Sequence, residues 1–310
     1  MTIQQLKQTQ SDFTGLLAGL MPGQLQTWGQ LAMLPLLSAS ERTSGSRFVS
    51  PLEHLKLVRV SAYGSMILHN TAQHGLLIAP MHIGFFQPGA QNHATSRIIV
   101  LGKNETLTAD DCFCIQASQG GYLKEAQQRF IILPLNLRTQ ALTLRGENSF
   151  SRLWDSIEQF NRRHGIKRGG HLERFLRPNF PRLVRFRHVL ETVPEQVGAA
   201  YFVAGRLVGI EVAPDAACWQ DVAPILTIYC YGAAALLAEQ LNLQAPHEPV
   251  QLADITDLAN LAQRLTEARG REQETHLQMV RERADASWDS ALQAETQGLR
   301  IVTLSQDAWA

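Results

Sequence analysis

The chain of 310 residues is 45% hydrophobic and 18% charged, an ordinary balance for a globular protein that folds as one large domain or two small ones. It carries 28 basic and 28 acidic residues, so no overall charge points to a nucleic-acid or membrane partner.

The N-terminal segment predicts a short amphipathic helix. Ser11 can cap this helix, Leu16 and Leu20 lie on its apolar face, and Pro22-Gly23 ends it. Its apolar part is short, and Lys7 is the one basic residue before it, which does not fit a secretory signal. No apolar run approaches the length of a membrane span, so we expect a soluble, cytoplasmic protein without a membrane partner.

The region from about residue 26 to residue 135 predicts β-structure. Short apolar or alternating runs are separated by Gly-, Pro- and Asn-containing turns, which is typical of an antiparallel sandwich or barrel. One segment, FVSPLEHL, predicts instead a short helix with Pro51 in its first turn. The predicted strands are LAMLPLL, LVRVSAYG, SMILHNTA, GLLIAPMHIGFF, RIIVLGKN, CFCIQ and FIILPL.

The second half of the chain is more helical. The segment NSFSRLWDSIEQFNRRHG has apolar residues at helical spacing and ends at Gly165, and a hairpin follows around Ala204-Gly205-Arg206. A long apolar helix is predicted from about Asp221 to Leu241, and two helices and a final strand, LRIVTLS, come after a linker. We therefore predict an α+β fold in which an antiparallel, β-rich N-terminal half packs with C-terminal helices and a hairpin.

The segment order predicts three parts of the chain. They are an N-terminal helical segment over residues 1–24, an α+β domain over residues 25–243, and a helical extension over residues 244–310 that ends in a strand and packs on the same domain.

The four cysteines do not form a metal motif. Cys112 and Cys114 alternate along a predicted strand, which points their thiols to opposite faces, and no C-x-x-C spacing occurs. Scattered cysteines in a chain of this size indicate reduced, buried thiols.

The stretch GFFQPGAQNHATSRIIV raises the possibility of a phosphate loop, because Gly84 and Gly89 have the Gly-x-x-x-x-Gly spacing. A Walker-type loop needs Lys and Ser or Thr directly after its second glycine, where Ala90 and Gln91 stand here. A strand is also predicted on each side, so the stretch predicts a hairpin connection. The alternative is a ligand-contacting loop in which Gln91 and Asn92 read a sugar or a base edge.

No metal or other cofactor follows from the remaining ionisable residues. His82 and His93 flank the Gly84 loop and could meet across a hairpin, but the register is open and a satisfied core or surface role is the ordinary outcome. Asp110-Asp111 could hold a metal, although they fit a turn that enters a strand. There is no G-x-S-x-G nucleophile elbow.

A basic belt, which we define as residues 162–188, holds nine Lys or Arg residues and one acid, whereas residues 189–310 hold seven basic and seventeen acidic residues. The ordinary reading is that these two parts attract each other, within the fold or across a homo-oligomer. The interleaved Phe175, Phe180 and Phe186 leave nucleic-acid binding open as a weaker alternative.

Four segments resemble the ADP-ribosylglycohydrolase- and rhodanese-phosphatase-associated domain family of bacterial proteins. They are GQLAMLPLL followed by FVSPLEHLKLVRVSAYGSM, the motif GAQNH, the strand and turn DDCFCIQASQGGY, and the hairpin VPEQVGAAYFVAGRLVGIEV. The resemblance runs from about Leu25 to Leu241. It implies a role linked to ADP-ribose and NAD metabolism, on association alone.

The chain departs from the family pattern at charged positions. Ala90 and His93 stand where the family has Lys and Arg beside the amide pair, and Gln116 stands where it has Glu. Phe85-Phe86 and Ala213-Pro214 replace further acidic positions. These losses remove groups that acid–base catalysis needs, so the resemblance implies binding more than catalysis.

The predicted function is therefore the binding of a nucleotide-like small molecule. The alternative is a non-catalytic protein that assembles with itself or with a partner. An arginine of the basic belt would serve the phosphates. The candidate ligand-binding residues are Gly89, Gln91, Asn92, His93, Gln116, Arg168 and Gln196.

Overall fold

The structure is a computed structural model that describes residues 19–38, 48–86, 91–117, 129–144, 151–166, 169–243 and 302–305. The predicted N-terminal helix lies outside these residues except at its end, where Leu20 is in a strand instead. The two helices predicted between residues 256 and 296 also lie outside them.

The described residues form sixteen strands, and eleven of them follow runs that the sequence predicts as strands. In chain order they are β1 (Leu20–Pro22), β2 (Gln26–Trp28), β3 (Leu31–Ser38), β4 (Phe48–Val49), β5 (Leu55–Ala62), β6 (Ser65–Asn70), β7 (Leu76–Ala79), β8 (Ile83–Phe86), β9 (His93–Ala94), β10 (Ile99–Leu101), β11 (Thr106–Ala109), β12 (Phe113–Cys114), β13 (Arg129–Ile132), β14 (Gln196–Val203), β15 (Arg206–Val212) and β16 (Val302–Ser305).

The helices lie between β4 and β5 and between β13 and β16. They are α1 (Pro51–His54), α2 (Leu135–Thr143), α3 (Arg152–Arg163), α4 (Glu173–Arg187), α5 (Ala216–Ile225) and α6 (Gly232–Gln240), with a π-helical segment (Leu226–Tyr231) joining the last two.

The largest sheet has six strands and is antiparallel throughout. Its order is β1-β3-β14-β15-β16, and β2 also pairs with β3. The central hairpin β14–β15 turns at Ala204 and Gly205, whose φ angles of 49° and 75° suit a tight two-residue turn. Every residue of β14 is buried, so both faces of the sheet are covered at its centre.

Three smaller sheets make up the rest of the β-structure in the described residues. Their orders are β10-β7-β4, β11-β6-β5 and β12-β9-β8-β13, and only the short pair β4–β7 is parallel. None of these described sheets closes into a barrel. The prediction of a mixed α+β fold with many antiparallel strands is confirmed.

The apolar run GLLIAPMHIGFF, which the sequence predicts as one strand, forms two strands in different sheets. His82 has a left-handed backbone with φ of 60°, and it lies in the turn that separates β7 from β8. A left-handed residue cannot continue an extended strand, so the chain changes direction there.

The long apolar helix begins five residues earlier than predicted. Asp215 caps it by accepting a hydrogen bond from the Cys218 amide at 2.8 Å. The Gly232 amide donates to the Thr227 carbonyl, five residues back, within the π-helical segment. Periodicity alone does not reveal either feature.

The same helical stretch corrects the expectation that no apolar run is long enough to span a membrane. Among the described residues, Ala216–Gln240 is the one helical stretch with the length and composition to do so, and 78% of its most apolar window is buried inside the protein. That burial is typical of a core helix in a soluble protein.

The basic belt is largely helix α4, and its aromatic side chains have divided roles. Phe175 and Phe186 are buried in the core, whereas Phe180 is exposed. Two of the three rings are therefore unavailable for stacking on bases. Arg182 of the belt pairs with Glu239 of α6 at 3.1 Å, so the belt contacts the acidic part of its own chain at that point.

The division of the chain at residues 24 and 243 stays a prediction. Strand β1 lies before the first boundary and β16 lies after the second, and both strands belong to the six-stranded sheet.

Candidate functional site

The Gly84 stretch is a hairpin connection, as the sequence predicts. Strand β8 pairs antiparallel with β9, which places Gly84 opposite Ala94 and Phe85 opposite His93. Gly84 lies inside the strand, and a Cβ atom there would come 2.8 Å from Cγ1 of Ile131. The glycine thus permits close packing on β13. Gly89 lies outside the described residues.

Four predicted site residues, Gln91, Asn92, His93 and Gln116, come together where β9 meets β12, and we call them the amide cluster. The Asn92 amide donates to Oε1 of Gln116 at 3.1 Å. The Cys114 thiol contacts Oε1 of Gln91 at 3.8 Å and donates to the Gln116 carbonyl at 3.2 Å. The β9–β12 pairing, which sets Cys114 opposite His93, produces this convergence.

Only Gln91 gives the amide cluster access to solvent. Asn92, His93 and Gln116 are buried, whereas Gln91 is half-buried. The buried members hold the backbone in place, and the Gln91 side chain is the one that a ligand can reach.

His93 is a neutral structural residue. Its Nε2 accepts a hydrogen bond from the Gly64 amide at 3.3 Å, so the ring proton lies on Nδ1, which donates to the Gln91 carbonyl at 3.0 Å. Burial lowers the pKa of His93, which keeps the ring uncharged near neutral pH. The register places His93 opposite Phe85 rather than opposite His82.

The start of the basic belt's helix lies beside the amide cluster. Gln116 forms a β-bridge with His171, and the Ala117 amide donates to the Gly170 carbonyl at 3.0 Å. Burial, and then the charge of Arg174, lowers the pKa of His171. Arg174 is therefore the belt arginine that the described structure brings close to the cluster, and the sequence did not single it out. Arg168 lies outside the described residues.

Gln196 is not part of this cluster. It begins β14 in the six-stranded sheet, where its Oε1 accepts from the Val193 amide and its Nε2 donates to the Gly198 carbonyl, each at 2.9 Å. Both polar atoms of the side chain are used by the chain's own backbone at the irregular start of the strand.

The acidic pair Asp110-Asp111 is engaged by neighbouring side chains. Ser65 donates to Asp110 at 2.6 Å, and Asp111 accepts from Ser96 at 2.6 Å and from Arg97 at 3.0 Å. Within the part of the chain that the structure describes, no three His, Cys, Asp or Glu side chains converge as metal ligands would.

The four cysteines are free and buried. Burial raises the pKa of each thiol, that of Cys230 to about 12, which disfavours the reactive thiolate. We expect native protein at about pH 8 to react only slowly with a thiol reagent such as DTNB, and denatured protein to release all four thiols at once. Fast stoichiometric labelling of the folded protein would contradict this assignment.

The core contains a buried ion pair that the sequence did not predict. Arg138 of α2 donates through a terminal nitrogen to Oε1 of Glu211 on β15 at 2.5 Å, and the Tyr231 hydroxyl donates to the same oxygen at 2.7 Å. The Arg138 side chain is 1% exposed and that of Glu211 is 6% exposed. Arg138 and Glu211 are each the one charged residue in an apolar stretch of sequence. A buried charge needs a partner of opposite charge.

Arg138 stays charged within the core. Burial opposes the charge on Arg138, but the Glu211 carboxylate and its neighbours outweigh it, and the pKa of Arg138 is raised. Burial, followed by the Glu211 carboxylate, raises the pKa of Tyr231 well above its ordinary value. Tyr231 therefore remains a neutral hydrogen-bond donor.

A protein-family model matches most of the chain. The family model of the ARG and Rhodanese-Phosphatase-superfamily-associated Protein domain matches residues 19–305. No curated protein and no solved structure matches the chain significantly.

Proposed function

Because the chain belongs to the family of ARG and Rhodanese-Phosphatase-superfamily-associated Protein domains, we propose that it is a cytoplasmic protein that binds a nucleotide-like ligand in ADP-ribose- or NAD-linked metabolism. The observation that carries the proposal is the half-buried Gln91 amide, which a rigid buried scaffold holds at the surface beside the belt helix.

The Gln91 side chain suits recognition of a base edge or a ribose. An amide offers a carbonyl acceptor and two N–H donors in one plane, and the Gln91 amide makes a weak contact with the Cys114 thiol at 3.8 Å. Three buried neighbours fix the backbone that carries it, which lowers the entropy lost on binding.

Arg174 supplies the charge that a phosphate group needs. Its guanidinium lies close to the backbone at Gly169, where a Cβ atom would be 3.5 Å from a terminal nitrogen of Arg174. The arginine is exposed and next to His171, which bridges to Gln116. In the proposed site, Gln91 would hydrogen-bond a base or a ribose, and Arg174 would contact a phosphate.

The ionisation states around the cluster favour binding over catalysis. Burial keeps His93 neutral and the Cys114 thiol protonated, and Gln116 is an amide, so none of the three is a ready acid, base or nucleophile. Self-assembly as a homo-oligomer, the alternative from the sequence, stays a prediction.

We expect ADP-ribose or NAD to raise the melting temperature of the protein, because a ligand that binds only the folded state stabilises it by mass action. Gln91→Ala should weaken the affinity roughly 3- to 10-fold, the worth of one net hydrogen bond. Arg174→Ala should weaken the affinity for ADP-ribose more than the affinity for adenosine, because adenosine lacks phosphate.

The matched control is Gln220→Ala, which removes an exposed glutamine on α5. Its affinity should equal that of the unmodified protein. The proposal would be contradicted if millimolar ADP-ribose, NAD and AMP all left the melting temperature unchanged. Equal ADP-ribose affinities for the Gln91 and Gln220 variants would also contradict it.

A further inference from the structure

A half-open apolar cavity of about 50 Å³ lies beside the buried Arg138–Glu211 pair, and both residues line it. Its walls come from α1, from the turn after β7, from the end of β15 and from the long helix α5. Pro51, Ile98, Val212, Val222 and Leu226 give it an apolar lining, and Arg138, Glu211 and Trp219 are its charged and polar members. No residue of the amide cluster lines it.

Two buried N–H groups in this lining have no acceptor among the described residues. They are Nε of Arg138 and the indole Nε1 of Trp219. Both side chains are 1% exposed, so these two atoms are buried in the folded protein. A buried donor without an acceptor costs roughly 1–3 kcal/mol, so two such donors in one cavity wall point to an oxygen that arrives with a ligand.

The charge of the wall selects a neutral ligand. The positive charge of Arg138 is already matched by the Glu211 carboxylate, which contacts it directly. A carboxylate ligand would add a second negative charge beside Glu211 and would lose its own hydration in an apolar cavity. A neutral carbonyl oxygen accepts from the free donors without that cost.

The cavity size limits the ligand to a small molecule. One water needs roughly 10–15 Å³ of such volume, so this cavity has space for a few water-sized groups. That is enough for an amide group and the edge of a small ring, the rest of which lies in the open side of the cavity, and it is too little for a whole nucleotide.

We propose that this cavity is a binding site for a small neutral molecule with an apolar body and a carbonyl-type oxygen, such as a primary carboxamide. The apolar body packs against Ile98, Val212 and Leu226, and the oxygen accepts from Arg138 and Trp219. This site does not depend on the nucleotide site proposed above, because the two share no residue.

The test uses benzamide and benzoate, which have the same shape and differ in charge. Isothermal titration of the full-length protein should give saturable benzamide binding, with benzoate at least about 10-fold weaker. The Trp219 indole N–H signal in an NMR spectrum, assigned by its loss in Trp219→Phe, should move on addition of benzamide and should move much less at the same concentration of benzoate.

Two variants and one control locate the binding. Trp219→Phe keeps an aromatic ring and removes the donor, so benzamide affinity should fall about 3- to 10-fold. Val222→Phe adds bulk at the half-buried rim of the cavity and should abolish binding. Trp28→Phe changes an exposed tryptophan and should leave the affinity unchanged.

The proposal fails if benzamide does not bind saturably, if benzoate binds as tightly as benzamide, or if the Trp219 and Val222 variants bind benzamide as the unmodified protein does. Loss of ADP-ribose binding in Gln91→Ala has no bearing on any of these outcomes.

Discussion

Glu211→Leu is expected to lower the free energy of unfolding by about 3–5 kcal/mol. The substitution leaves the Arg138 guanidinium in the core without the carboxylate that it contacts. It also removes the acceptor of the Tyr231 hydroxyl, which is buried and keeps its proton. Arginine cannot escape the penalty by losing its proton, because its pKa lies too high even in the folded protein.

The double variant Arg138→Met with Glu211→Leu should recover the part of this loss that comes from the unpaired buried charge, since an apolar pair of similar volume has no charge to desolvate, while the Tyr231 hydroxyl still lacks its acceptor. Arg182→Ala is the matched control, because it breaks the exposed Arg182–Glu239 pair and should cost no more than about 1 kcal/mol. Urea unfolding followed by circular dichroism measures all three. A Glu211→Leu cost equal to that of the control would show that the buried pair adds nothing.

The second large effect is expected from Gly198→Ala, with a loss of about 3 kcal/mol. A Cβ atom at this position would lie 2.3 Å from the Glu211 carbonyl oxygen and 3.1 Å from Cα of Val212. Both atoms belong to the backbone of β15, which is paired with β14 at this residue. Relief of the clash therefore requires the two central strands to separate.

Gly84→Ala provides the comparison for this substitution. Its nearest atom would be Cγ1 of Ile131 at 2.8 Å, which belongs to a side chain, so local repacking of Ile131 can relieve part of the clash without separating the strands. We expect a loss below about 1.5 kcal/mol, measured by the same unfolding experiment. If Gly84→Ala destabilises the protein more than Gly198→Ala does, the two glycines have been assigned the wrong roles.

Local patterns were enough to predict most elements of the fold. Pro51 predicts a helix of one turn, and Ala204-Gly205 predicts the central hairpin. Each of these features depends on residues within a few positions of one another. The run GLLIAPMHIGFF misled the prediction because the left-handed backbone at His82 is not encoded by hydrophobicity. Hydrophobicity likewise does not predict the π-helical segment within the long helix.

The candidate site was predictable in part. Gln91, Asn92 and Gln116 were singled out, and they meet because β9 and β12 pair. Gln196 does not join them because β14 pairs within another sheet. Arg174 was missed, since its position beside His171 results from how α4 enters the fold.

The buried ion pair was not predicted because its partners are 73 residues apart in the chain. The sequence does contain a signal for it. Arg138 follows the apolar strand and helix start FIILPLNL, and Glu211 interrupts the run LVGIEVA, so each is a lone charge among apolar residues. Lone charges of opposite sign in two apolar segments indicate a buried pair, although they cannot show which residues meet.

The most direct test of the central claim is to follow the side-chain amide signals of the protein by NMR while ADP-ribose is added. Assignment comes from the signal that disappears in Gln91→Ala. The proposed site predicts that the Gln91 amide signals move in a saturable way, while the Trp219 indole signal of the separate cavity stays in place. Saturable binding that leaves the Gln91 signals unmoved, or no binding at millimolar ligand, would contradict the claim.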